Sequence, residues 1–142
     1  MNRVLSSPSR SLVVVAFLVA TGCALITGYD PTSYKNATDL KVESLALIDK
    51  AGDPASQHTA AIEQVRTRLL QAYEYEKGKK TNNETARQWA IMVAPDRNLM
   101  GGFMEKWLRE GPQSAAFRSG MKSNVEQGFD TIIDLEEHKV KK

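Results

Sequence analysis

A chain of 142 residues, 42% apolar and 25% charged, has room for one compact domain with an appendage at one end, and it excludes a multidomain machine. Nine glycines and five prolines are too few for a collagen-like or low-complexity chain, and a single cysteine excludes an internal disulfide framework. With 19 basic against 17 acidic side chains the formal charge of +2 lacks the basic excess that phosphate-backbone binding needs, so nucleic acid is not an expected partner.

Residues 1–22 contain Arg3 and Arg10, no acid, and a nearly continuous aliphatic run from Leu12 to Ala20. This is the pattern of a secretory signal. Extended generously to Ile26, the apolar stretch measures roughly 22 Å at about 1.5 Å per residue, short of the roughly 30 Å hydrocarbon core of a bilayer. The run closes on Val19-Ala20-Thr21-Gly22-Cys23, and this resembles the lipobox of bacterial lipoproteins. In that class the cysteine thiol receives a diacylglyceryl group, a dedicated peptidase cuts just before it, and the new amino terminus is usually acylated. The resemblance implies that Gly22 is the last residue removed and that Cys23 is the lipidated first residue of the mature chain. Ala20 stands where leucine is commoner. Ala24 follows the cysteine in place of the aspartate that, in enterobacteria, tends to retain such proteins in the inner membrane. The implied location is therefore the outer membrane, with the body facing the periplasm. Lipidation also accounts for a lone cysteine in an exported chain, where a free thiol invites intermolecular pairing. One acyl chain binds a bilayer marginally, whereas two or three hold firmly.

Removing residues 1–22 takes away two arginines and no acid, which leaves 17 basic against 17 acidic side chains and a formal charge of zero. Residues 23–31, with Gly28 and the pair Asp30-Pro31, form a short tether. At up to about 3.5 Å per residue, the seven residues from Ala24 to Asp30 keep the body within roughly 25 Å of the lipid.

The single domain, residues 32–142, is predicted to be all-α. Over 32–51 the positions Tyr34, Ala37, Leu40, Leu45, Leu47 and Ile48 approximate a helical stripe that stops at Gly52-Asp53-Pro54. A second helix over 55–77 carries Ile62, Val65, Leu69, Ala72 and Tyr73 on one face, and the short link predicts an antiparallel hairpin. After Lys77-Gly78-Lys79-Lys80, a solvated loop in the plainer reading and a contact for anionic lipid headgroups or cell-wall carboxylates in the other, Thr81-Asn82-Asn83 offers capping oxygens to a helix over 84–94 that ends before Pro95. Asp96 can cap a further amphipathic segment that carries Met100, Phe103, Met104, Trp107 and Leu108, is weakened at Gly101-Gly102, and stops at Gly111-Pro112. The last helix covers 114–139 with Phe117, Met121, Val125, Phe129, Ile132 and Ile133 at a three-four spacing. No run alternates with period two for long enough to make a sheet. The expectation is a small bundle of about five helices, three longer and two shorter.

The chain carries few chemistry-bearing motifs. His58 and His138 cannot alone make a metal site of three or four protein ligands, and neither a Gly-x-Ser-x-Gly nor a phosphate-cradling glycine motif occurs. No catalytic residue, metal or cofactor is assigned. Asp130, Asp134 and His138 follow at four-residue steps and can line one helix face, a solvated surface in the plainer reading and a hydrolase cluster in the other. Met92, Met100, Phe103, Met104 and Trp107, with Trp89 nearby, plug one end of the core in the plainer reading. In the alternative, Phe103, Met104 and Trp107 form a surface for a partner or apolar ligand, since methionine-rich surfaces adapt and tryptophan is common at binding hot spots. The expected function is that of an outer-membrane-anchored lipoprotein whose helical module faces the periplasm and holds a protein partner in an envelope assembly. A carrier of a lipid or other apolar molecule, and an envelope hydrolase, are the alternatives.

Overall fold

The computed structural model describes residues 28–139, so the leader, Cys23 and Ala24 lie outside the described residues. Five helices follow in chain order: α1 (Pro31–Asp49), α2 (Thr59–Lys77), α3 (Asn83–Val93), α4 (Met100–Glu110) and α5 (Ala115–Glu137). Among the described residues there is no strand, and no helix is long and apolar enough to cross a membrane. The protein is a small all-α bundle, with helices of 19, 19, 11, 11 and 23 residues.

Local chemistry explains most of the boundaries. Asp30 is the N-cap of α1, its carboxylate accepting from the Thr32 N–H at 2.8 Å, with Pro31 in the first turn where its missing N–H costs nothing. The α1–α2 link tightens into two 3₁₀ turns, Lys50–Gly52 and Ala55–Gln57, so α2 starts four residues later than the periodicity predicts. Ser114 caps α5 by accepting from the Phe117 N–H. Gly111 ends α4 at φ 77°, a conformation open to glycine.

Two expected caps are not made. Asn82 occupies the N-cap position of α3, but its side chain turns away to Glu76. Asp96 does not start α4: residues 94–99 form a turn, and α4 begins after Leu99 without a side-chain cap. The cause is the glycine pair. A Cβ on Gly101 would lie 2.2 Å from the Val93 carbonyl oxygen, and one on Gly102 1.9 Å from that of Arg97. The first turn of α4 thus packs directly on backbone, which only glycine allows.

The helices α1, α2, α3 and α5 enclose the core, and α3 and α4 lie in succession along α2. Ala86 and Ala90 of α3 face Tyr73 and Lys77, while Met104 and Glu105 of α4 face Arg66, Leu69 and Leu70. One long helix place is therefore filled by two short helices broken at Pro95. The core runs from Ala37, Leu40 and Ile48 through Ile62, Leu69, Trp89 and Met92 to Val125, Phe129 and Ile132.

Candidate functional site

The chemistry-bearing groups gather at the two ends of this bundle. At the end where the tether enters, the apolar stripes of three helices close in polar residues. On α2 the buried positions Ile62, Val65, Leu69 and Ala72 continue to Glu76; on α5 Met121, Val125, Phe129 and Ile132 continue to Glu136; on α1 the stripe opens with Ser33. Glu76 and Glu136 are each 1% exposed. A buried carboxylate is costly unless it is paired and hydrogen-bonded, and both are.

Glu76 accepts from the Ser33 hydroxyl, from Lys79 Nζ at 3.1 Å and from the Asn82 amide. Glu136 accepts from the backbone N–H of Asp30 at 2.6 Å and from Lys139 Nζ. Asp30 joins the two groups. Its carboxylate accepts from Tyr75 Oη at 2.7 Å and lies 3.3 Å from Ser33 Oγ, whose one proton goes to Glu76, and 2.8 Å from Lys79 Nζ. Desolvation pushes the Asp30 carboxyl upward, but hydrogen bonds from Lys79, Tyr75 and Thr32 together outweigh it and hold the group well below the ordinary carboxylate range. Desolvation likewise opposes the Lys79 charge, and the Asp30 hydrogen bond and the Glu76 charge overcome it, so Lys79 is held protonated.

The arrangement brings a serine against a lysine, since Ser33 Oγ also accepts from Lys79 Nζ. A serine nucleophile needs a neutral base beside it. Lys79 has no lone pair to offer while Asp30 and Glu76 hold its proton, and Ser33 is 4% exposed. This cluster holds charge in place and ties the start of the domain to α2 and α5. The plainer reading of the sequence places Lys79 in a solvated loop; the structure corrects this, because Lys79 folds back onto Glu76 while Lys77, Gly78 and Lys80 of that run stay exposed. The signal was present in the periodicity, one step beyond the last apolar residue of each stripe.

The opposite end is closed by aromatic rings. Phe103, Met104 and Trp107 are 1%, 3% and 0% exposed, so they belong to the core: Phe103 and Trp107 offer no partner surface, and Met104 contributes only to the floor of a cleft beside α2. The apolar stripe of α4 has to face inward because it covers the open mouth of the α1–α2 hairpin. Trp107 donates from Nε1 to the Asp53 carbonyl at 2.9 Å and lies 5.7 Å from the His58 ring, while Phe103 packs against Phe117 of α5 at 6.5 Å. His58 itself sits just before α2, with Nε2 3.1 Å from Asp53.

Asp130, Asp134 and His138 are exposed on α5. Asp130 is taken by Lys41 of α1 at 2.6 Å, and His138 Nδ1 lies 2.7 Å from the Asp134 carbonyl, so the three do not converge on one point. Among the described residues no group of three or more His, Cys, Asp or Glu could hold a metal ion. A cleft of about 180 Å³ lies between α2, α3 and α4, lined by Leu69, Leu70, Val93, Pro95 and Met104, with Arg66 and Glu105 3.0 Å apart at its edge. Leu70 brings it to the surface, being 46% exposed.

No protein family, curated protein or solved structure matches the chain.

Proposed function

We propose that the chain is an exported lipoprotein, anchored through Cys23 in the outer membrane, whose helical domain holds a protein partner on the periplasmic side. The observation that carries this reading is the small-residue run closing on Cys23, seven residues before the buried cluster seizes Asp30. The domain begins almost immediately after the proposed lipid, so its place is the membrane surface. The partner surface is the cleft between α2, α3 and α4, where Leu70 exposes apolar area beside the Arg66–Glu105 pair. A carrier of an apolar molecule is less well supported, since about 180 Å³ falls below the roughly 300–1,000 Å³ of drug-sized ligand pockets.

Two measurements test it. Intact mass of the mature chain should show acylation at Cys23, and Cys23→Ser should leave an uncleaved precursor; an acylated, processed Cys23→Ser chain would refute the anchor. A photoreactive side chain at residue 70 should crosslink in intact cells to a defined envelope protein, whereas one at exposed Ser123 on α5 should not. Equal, diffuse labelling from both positions would refute the partner surface.

A further inference from the structure

The chain contains four tyrosines, and all four stand at the tether end of the bundle. Tyr29 and Tyr34 lie with ring centroids 6.2 Å apart; Tyr75, 42% exposed, reaches Asp30; Tyr73 lies one turn before Lys77. Lysines accompany them. Lys77 Nζ lies 5.4 Å from the Tyr73 ring centroid and Lys79 Nζ 4.5 Å from that of Tyr75, and Lys80 is exposed with no ion-pair partner among the described residues. Beyond Lys139 the sequence continues to Lys141 and Lys142.

Apart from Asp134, which stays exposed, the acids of this end are engaged within the domain. Asp30, Glu76 and Glu136 face Lys79 and Lys139, Glu74 pairs with Lys77 at 3.1 Å, Glu84 pairs with Arg87 at 3.3 Å, and Glu137 faces Tyr34. The other aromatic side chains of the domain, including Trp89, Trp107 and Phe129, are spent on the core, and Tyr73 packs half-buried against it. Tyrosine has an apolar ring and a polar tip, and with lysine it is the residue of membrane–water interfaces.

We infer that the tether end of the bundle is a membrane-contact face: Tyr29, Tyr73, Tyr75, Lys77 and Lys80 rest on the phospholipid headgroup layer of the leaflet that carries the anchor, and the aromatic-plugged end points away from it. This rests on the proposed lipidation of Cys23. The seven residues from Cys23 to Tyr29 span at most about 25 Å, so contact with that leaflet is effectively intramolecular and weak interactions suffice. Asp30, fixed to α1, α2 and α5, prevents the tether from peeling away and letting the domain tumble.

The test uses the acylated mature chain in phosphatidylcholine–phosphatidylglycerol vesicles. Lipidation consumes the one native thiol, so Asn83→Cys at the tether end, or Gln57→Cys at the far end, takes a single fluorophore. With a headgroup-attached spin-label quencher, the probe at 83 should be quenched at least threefold more than the probe at 57. Tyr29→Ser with Lys80→Gln should lower that ratio at least twofold, while Lys106→Gln with Lys122→Gln, placed toward the other end, should leave it unchanged. Equal quenching at 83 and 57, or an equal effect of the two double variants, would overturn the contact face. A chain whose mass shows no acyl group on Cys23 would instead overturn the anchor, and this face with it.

Discussion

The two ends of the bundle are closed by opposite means. The tether end is sealed by carboxylates, lysines and hydroxyls: Asp30, Ser33, Glu76, Lys79, Asn82, Glu136 and Lys139. The far end is sealed by Phe103, Trp107 and Phe117 with one indole hydrogen bond. Apolar packing is non-directional, whereas a buried charge is tolerated only in one geometry. The far end therefore supplies stability, and the tether end supplies a defined attachment whose strength depends on pH.

The largest expected effect lies at the far end. Trp107→Ala removes a fully buried ring and orphans the Asp53 carbonyl, and should cost about 3–5 kcal/mol in urea unfolding. The loss should be equal at pH 7 and near pH 3.5; a strong pH dependence would break the distinction between the ends. At the tether end Glu76→Leu should cost about 3 kcal/mol, because it strands the Asn82 amide and leaves Lys79 and Ser33 with the Asp30 carboxylate alone. If Glu76→Leu with Lys79→Met recovers most of that loss, the cluster is there for geometry and not for stability.

Next in size is the junction between the two short helices. Gly102→Ala should cost about 2 kcal/mol, since the new methyl would sit 1.9 Å from the Arg97 oxygen, in the range typical of overpacking. Gly120→Ala on α5 meets open space and should instead stabilise by about 0.5–1 kcal/mol through helix propensity; thermal unfolding of both variants reads the difference in sign.

The smallest effect sharpens the pH contrast. The Asp30 carboxyl is held below its ordinary value of 3.8, so it stabilises the fold above that value, and the contribution fades as pH falls through the lower folded value. Asp30→Asn should therefore lower stability at pH 7 and flatten the loss of stability below about pH 4. An unchanged acid limb would show that other carboxylates control it.

The helices were legible because their signals are local. Apolar spacing, the Gly-Pro stop at 111–112 and the Ser114 cap each act within a few residues, and they predict three long and two short helices in the observed order. Helix starts were less legible where a distant group competed: Asn82 is a good cap by composition, but Glu76, on the preceding helix, takes its side chain. The aromatic set on α4 carries no local sign of which way it faces, since an amphipathic stripe is the same pattern whether its apolar side covers a core or meets a partner.

Sequence alone thus carries the class of fold, the length and order of the helices, and the motif at Cys23, all of which depend on neighbours along the chain. The sealing of the two ends does not: Asp30 meets Glu136 across 106 positions and Ser33 meets Glu76 across 43. Whether a glutamate or a tryptophan is solvated or enclosed depends on which helices arrive beside it, and that is settled when the bundle closes.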